Sequence, residues 1–116
     1  MEMREARRND VWVLALKGRL DAVSTPCVRN RLKKRIDQGE RLFAVDATGL
    51  TYISSSGLAL LLQVAKQLQE LSGRVVLCAL QKPVQRVLEI AGFMSLSSIF
   101  SSSEEAMQAA SKLDSV

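Results

Sequence analysis

Histidine is absent from this chain, and cysteine, proline and aromatic residues are scarce. Without histidine there is no Ser-His-Asp triad, no imidazole base and no histidine-ligated metal. The cysteines, Cys27 and Cys78, stand apart with no C-x-x-C spacing. One falls at an expected helix start and the other in an expected strand, so two buried free thiols are expected rather than a disulfide. The aromatics (Trp 1, Tyr 1, Phe 3) form no series of the kind that stacks single-stranded nucleic acid. Apolar runs such as residues 11–16 fall far short of the ~20 residues of a spanning helix. The basic N-terminal stretch is broken by Glu2, Glu5 and Asp10 and does not read as a signal sequence. No Gly-rich phosphate loop occurs. The expectation is a cytoplasmic protein, not an enzyme, with no cofactor, no metal and no membrane insertion.

What is present is ordinary globular composition: 116 residues, 47% apolar and 24% charged. A single domain over 1–116 is expected, burying roughly 65% of its unfolded surface. The net charge of +4 raises the question of nucleic acid, and the densest basic run is Arg29-Asn30-Arg31-Leu32-Lys33-Lys34-Arg35. Val28, Leu32 and Ile36 recur through it at helical spacing, so the run reads as the solvated face of an amphipathic helix. Nucleic-acid binding is not expected.

Along the chain, Val11-Trp12-Val13-Leu14-Ala15-Leu16 is a clear strand, closed by Gly18-Arg19-Leu20-Asp21. Trp12 is expected to pack on the sheet. Asn9-Asp10 is a turn signal that would pair residues 3–8 with that strand as a hairpin. Ser24 or Thr25 would cap a helix with Pro26 at its start, running to about Gln38 and stopping at Gly39. Leu42-Phe43-Ala44-Val45 suits a short buried strand. A long helix with Leu58, Leu61, Leu62, Ala65, Leu68 and Leu71 on one face follows, ended by Ser72-Gly73 with glycine as a left-handed cap. Residues 74–79 form a further strand, and Pro83 opens a helix with Val84, Val87, Leu88 and Ala91 on one side, closed by Gly92. Ile99-Phe100 suits an edge strand. Ser102 and Glu105 resemble a capping box before a last helix carrying Ala106, Ala109, Ala110 and Leu113. The expected fold is α/β: a mixed four- to five-stranded sheet with about four helices, most on one face.

The most informative stretch is Asp46-Ala47-Thr48-Gly49-Leu50-Thr51-Tyr52-Ile53-Ser54-Ser55-Ser56-Gly57-Leu58. It reads as strand, turn and helix, with Ser54, Ser55 and Ser56 at the helix start. The first N–H groups of a helix lack intrahelical acceptors and carry partial positive charge, so a serine there caps and a phosphate there is stabilised. From the residues alone, a plain helix cap and a modification site both remain open. Asp46 reads as bonding nearby backbone N–H groups, and Asp21 as a turn residue or a partner contact.

Three blocks in order resemble the STAS family, the sulfate transporter and anti-sigma factor antagonist domains. They are Gly18-Arg19-Leu20-Asp21, residues 46–58, and Arg86-Val87-Leu88-Glu89-Ile90-Ala91-Gly92-Phe93. The resemblance implies a single-domain anti-sigma factor antagonist that binds an anti-sigma factor with serine-kinase activity. It implies phosphorylation at Ser55 (alternatively Ser56) and a reset by a metal-dependent serine phosphatase. It also implies partner contacts at Asp21, Thr51, Tyr52, Ile53, Ser54, Ser55, Ser56 and Gly57. The chain departs from the family's D-S-S-G at one place, with Ser54 where Asp is usual. The alternative is a non-phosphorylated STAS subunit of a phospholipid-transport ABC complex, which Gly57-Leu58-Ala59-Leu60-Leu61-Leu62 also resembles. A monomer is expected by default.

Overall fold

The computed structural model describes residues 1–92 and 98–100. Its elements run β1 (Glu2–Arg8), β2 (Val11–Leu20), α1 (Thr25–Asp37), β3 (Leu42–Ile53), α2 (Ser55–Glu70), β4 (Arg74–Cys78), α3 (Lys82–Ile90) and β5 (Ser98–Phe100). They build one five-stranded sheet in sequential order β1-β2-β3-β4-β5. The β1–β2 hairpin is antiparallel, and the pairs β2–β3, β3–β4 and β4–β5 are parallel. Crossovers between parallel strands are right-handed, so a sheet that grows steadily in one direction places its helices on one face. Buried residues of α1, α2 and α3 accordingly share one cluster with Leu14, Leu16, Phe43, Val45, Val75 and Leu77 of the strands. Val11, Leu42, Ala44, Val76 and Cys78 form a smaller cluster without any residue of these helices. The mixed sheet with one-sided helices matches the expectation. The expected last helix, with Ser102 and Glu105, lies outside the described residues, as does Phe93.

The hairpin turns at Asn9, whose φ is 58°. Glu5 then ties β1 to the helical layer: Arg35 Nε donates to it at 3.0 Å, Arg31 Nη1 bonds its other oxygen, and Trp12 Nε1 donates at 3.0 Å. Arg35 also lies 4.2 Å from the Trp12 ring centre, and Arg7 pairs with Glu40. Burial pulls the Glu5 carboxyl up, but the bonds from Arg35, Arg31 and Trp12 outweigh it and hold its pKa below 4.5. A carboxyl whose folded pKa is lowered stabilises the fold above its unfolded pKa and loses that contribution as pH falls through the folded value. Acid melts from pH 6 downward (roughly the range in which carboxylates begin to protonate) are therefore expected to show a loss of stability below the ordinary value of 4.5. Glu5→Gln should flatten that loss. An identical acid profile in the variant would contradict it.

Several expected details move. The strand read as residues 42–45 continues to Ile53, because the Asp46–Thr48 segment is a bulge and not a turn. Register slips at Ala15/Lys17 and Gly18/Arg19 each give β3 one residue more than β2. Ala47, Leu50 and Ile53, three apart, can then all face the core, a spacing that hides the strand's period of two. The buried side of α2 is Gly57, Leu60, Leu61, Val64, Ala65 and Leu68, since α1 covers it as well as the sheet. Leu58 and Leu62 fall to its margin and Leu71 is exposed. On α3 only Val84 and Leu88 are buried, and Val87 is exposed.

At the end of α2 it is Ser72, not Gly73, that takes the left-handed conformation (φ 62°). A Cβ on Gly73 would lie 2.4 Å from the Arg41 carbonyl oxygen, and that close approach is what glycine serves there. Cys27 is exposed, contrary to expectation, because the buried stripe of α1 is Thr25, Val28, Leu32 and Ile36. Cys78 is buried; burial first, then the Asp46 carboxylate, push its thiol up to about 11, which leaves it protonated and inert.

Candidate functional site: the serine turn

Parallel β2 and β3 end side by side at Leu20 and Ile53, and both following helices begin at that sheet end. This is the carboxyl end of the strands, where α/β sheets carry their sites. Two short loops meet there. The Ser54 N–H donates to the Leu20 carbonyl at 2.8 Å and joins them.

The first loop is organised by Asp21. Its Oδ1 accepts from the backbone N–H of Val23 and of Ser24, both at 3.1 Å. The Ser24 hydroxyl turns back, donating to the Arg19 carbonyl at 2.6 Å and accepting from the Asp21 N–H at 3.0 Å. Ser24 is the residue before α1, yet its side chain makes no cap bond to that helix. The bond from the Ser24 N–H leads the interactions that lower the Asp21 pKa, with those from Val23, the Ser24 hydroxyl and Arg19 adding to it. Asp21 thus shapes the loop, and it leaves Val23 85% exposed at the tip.

The second loop is the serine cluster, and its members divide. Ser54 is the N-cap: extended (φ −88°, ψ 172°), with Oγ accepting from the Gly57 N–H at 3.2 Å. Aspartate caps in the same way, so the departure from the family pattern keeps the cap and removes a charge. Ser54→Ala is expected to cost about 0.5–2 kcal/mol in denaturant unfolding. A value near zero would show that the bond contributes nothing.

Ser55 and Ser56 are exposed in the first turn of α2, where backbone N–H groups have no intrahelical acceptor. That turn contains no acidic residue, so the positive end of the helix is uncompensated. Gly57 is buried against β2, and a Cβ there would lie 2.7 Å from Leu20 Cγ and 2.9 Å from the Leu20 carbonyl oxygen.

Of the other expected partner contacts, Thr51 is exposed and its Oγ1 donates to the Gly18 carbonyl at 3.0 Å. Tyr52 is 40% exposed, with the Arg19 guanidinium 4.0 Å from its ring centre. Ile53 is a correction: at 5% exposure it is core and offers no side chain to a partner, and the bulged register is what turns it inward. Gly57 likewise acts by close packing and not at the surface. Arg19 and Val23 were missed by sequence reasoning. Arg19 meets Tyr52 only through the bulged register, which no local pattern announces, whereas the apolar pair Ala22-Val23 between Asp21 and Ser24 in a turn segment was a readable signal. Asp46 does as expected, its Oδ1 accepting from the Thr48 N–H at 3.0 Å and from the Thr48 hydroxyl at 2.6 Å. Among the described residues no group of His, Cys, Asp and Glu is arranged to hold a metal ion, and no helix is long and apolar enough to cross a membrane.

The chain is 35% identical over 109 residues to BtrV of Bordetella bronchiseptica, named as an anti-sigma factor antagonist, with 94% of each chain covered. Among solved structures, one described as an anti-sigma factor antagonist of Thermotoga maritima superposes with a TM-score of 0.89 at 17% identity, covering 93% of each chain. SpoIIAA of Bacillus, in its phosphorylated form, gives 0.76 at 22% identity, covering 93% of this chain and 98% of that one. At such identities these likenesses establish the fold. The STAS domain pattern itself matches residues 3–106. With the sheet, the serine turn and this match together, the chain belongs to the STAS domain family.

Proposed function

We propose that this protein is an anti-sigma factor antagonist, and that its serine turn is the surface on which an anti-sigma factor with serine-kinase activity docks. Phosphorylation of Ser55 ends that complex, and a metal-dependent serine phosphatase restores it. The observation that carries the reading is the division of labour at the turn. Ser54 is consumed by the cap, leaving Ser55 exposed at an uncompensated helix N-terminus. A phosphate there adds roughly −1.5 to −2 charges beside backbone N–H groups that welcome it. The domain tolerates the change and the docked partner feels it. The relative named an antagonist and the phosphorylated form of SpoIIAA support this reading.

The exposed surface around the turn suits a docking role. Val23 at the tip of one loop and the Arg19–Tyr52 stack beside the other give an apolar contact and a flat cationic one. The experiment is affinity capture from native extract, followed by incubation of the retained proteins with ATP and mass mapping of the phosphate. A kinase-type anti-sigma factor that places phosphate on Ser55 supports the function. Phosphate on Ser56 alone would move the site by one residue. An ABC ATPase retained without phosphorylation would replace the reading with a transporter subunit.

A further inference from the structure

The basic run of α1 is divided by the fold into two groups with different fates. Arg31 and Arg35 turn toward β1, where Glu5 bonds both. Arg29 and Lys33 turn the other way and line a groove against α2, with Gln63 and Gln67 on the opposite wall. The floor is Leu60 and Val64 with Ile36, and the cavity is about 240 Å³. Among the described residues Arg29 has no ion-pair partner, and Lys33 has only the exposed Asp37 at 3.8 Å. Among the described residues no carboxylate lines the groove.

We propose that the α1–α2 groove is a second docking surface, and that its occupant is an acidic amphipathic helix of a partner protein. Arg29 and Lys33 are one helical turn apart, which matches two carboxylates at i and i+4 on the incoming helix. The Gln63 and Gln67 amides bond polar groups beside them, and the apolar floor takes a small aliphatic side chain. Ser56 sits one turn before Leu60 on the same helical face, so the groove's end at Leu60 lies one helical turn from the serine turn. A nucleic acid fits less well. The groove is small, no aromatic ring lines it among the described residues to stack a base, and two cations of the basic run, Arg31 and Arg35, are already bonded to Glu5.

The inference deepens the reading of the chain as a protein-binding module, but it needs neither phosphate nor an anti-sigma factor. Its test is an amide-resolved titration of the ¹⁵N-labelled protein with synthetic peptides. The probe is a peptide of roughly 20 residues, long enough to hold a helix, with Glu at i and i+4 beside a Leu/Ala face. Controls are the same peptide with Lys for Glu, and a single-stranded oligonucleotide. Saturable shifts at Arg29, Lys33, Gln63 and Gln67 with the acidic peptide alone are expected. Arg29→Glu/Lys33→Glu should weaken binding at least about tenfold, and Arg29→Gln/Lys33→Gln by somewhat less. The Gln pair keeps the test valid should charge reversal disturb folding. Absent shifts, equal binding of the basic peptide, unchanged affinity of the variants, or stronger shifts with the oligonucleotide would each overturn the proposal. None of these outcomes bears on Ser55, and failure of the affinity capture leaves the groove untouched.

Discussion

Ser55→Glu is expected to leave the protein folded, slightly more stable than wild type, and about 30- to 1000-fold weaker for the anti-sigma factor proposed as its partner. The two halves of that result have one cause. A carboxylate at the first position of α2 meets the uncompensated helix N-terminus, which has no acidic residue in its first turn. Such placements stabilise by about 0.3–1 kcal/mol. The same charge against a docked partner introduces repulsion and leaves desolvated groups unpaired, at a cost of about 2–4 kcal/mol, which is the stated loss of affinity. Thermal unfolding and calorimetric titration with the captured partner check the two halves separately. A destabilised variant would mean that the turn cannot accept charge, and phosphorylation could not then be a benign switch. A stable variant with undiminished affinity would place the interface elsewhere. Ser54→Asp provides a useful contrast, since it restores the family's usual residue while keeping a capping side chain.

Gly57→Ala is expected to destabilise the protein by about 1–3 kcal/mol, although alanine is otherwise the better helix former by about 1 kcal/mol. The new methyl group would sit 2.7 Å from Leu20 Cγ and 2.9 Å from the Leu20 carbonyl oxygen. A side-chain tip can swing aside, but that carbonyl also accepts the Ser54 N–H and cannot move without loosening the join between the loops. Hydrogen exchange at the Ser54 amide should quicken in the variant, and the melting temperature should fall on the order of 5 °C per kcal/mol. Gly73→Ala should behave in the same way, because its Cβ would meet the Arg41 carbonyl oxygen at 2.4 Å. If Gly57→Ala were neutral or stabilising, the glycine would be a dispensable helix residue and the close packing of α2 on β2 would be wrong. A reduced affinity in a stable Gly57→Ala would instead show that the position of Ser55 and Ser56, set by that packing, matters to the partner.

Both results turn on distances that no residue pattern contains, and that separates what was legible from what was not. Alternating apolar runs and paired Pro and Gly punctuation were enough to place β2, β4 and the bodies of all three described helices. They also pointed to a sheet with its helices mostly on one side. The serine cluster was recognisable as a helix start because hydroxyl residues before a leucine-rich periodic segment have few other uses. The extension of β3 was missed because its bulges break the period of two. For the same reason no local pattern shows that Ile53, one of the partner contacts the family resemblance implies, is turned into the core. Free cysteine is usually buried, but that tendency says nothing about which side of α1 a particular residue occupies, and Cys27 is exposed.

What the sequence by itself determined are the properties set within a few residues: the type of most elements, the absence of imidazole chemistry and the location of the hydroxyl cluster. Local backbone preference and side-chain chemistry decide those, and they act along the chain. Which serine caps and which is left exposed was decided by tertiary structure, through the extended backbone at Ser54 and the packing of Gly57 on Leu20. The division of one basic helix between an internal ion-pair network and an open groove was decided there too. Glu5 stands far from Arg31 and Arg35 along the chain, and only the hairpin's place beside α1 brings them together. Charges and close contacts act through space, and space is assigned only once the sheet has put its strands in order.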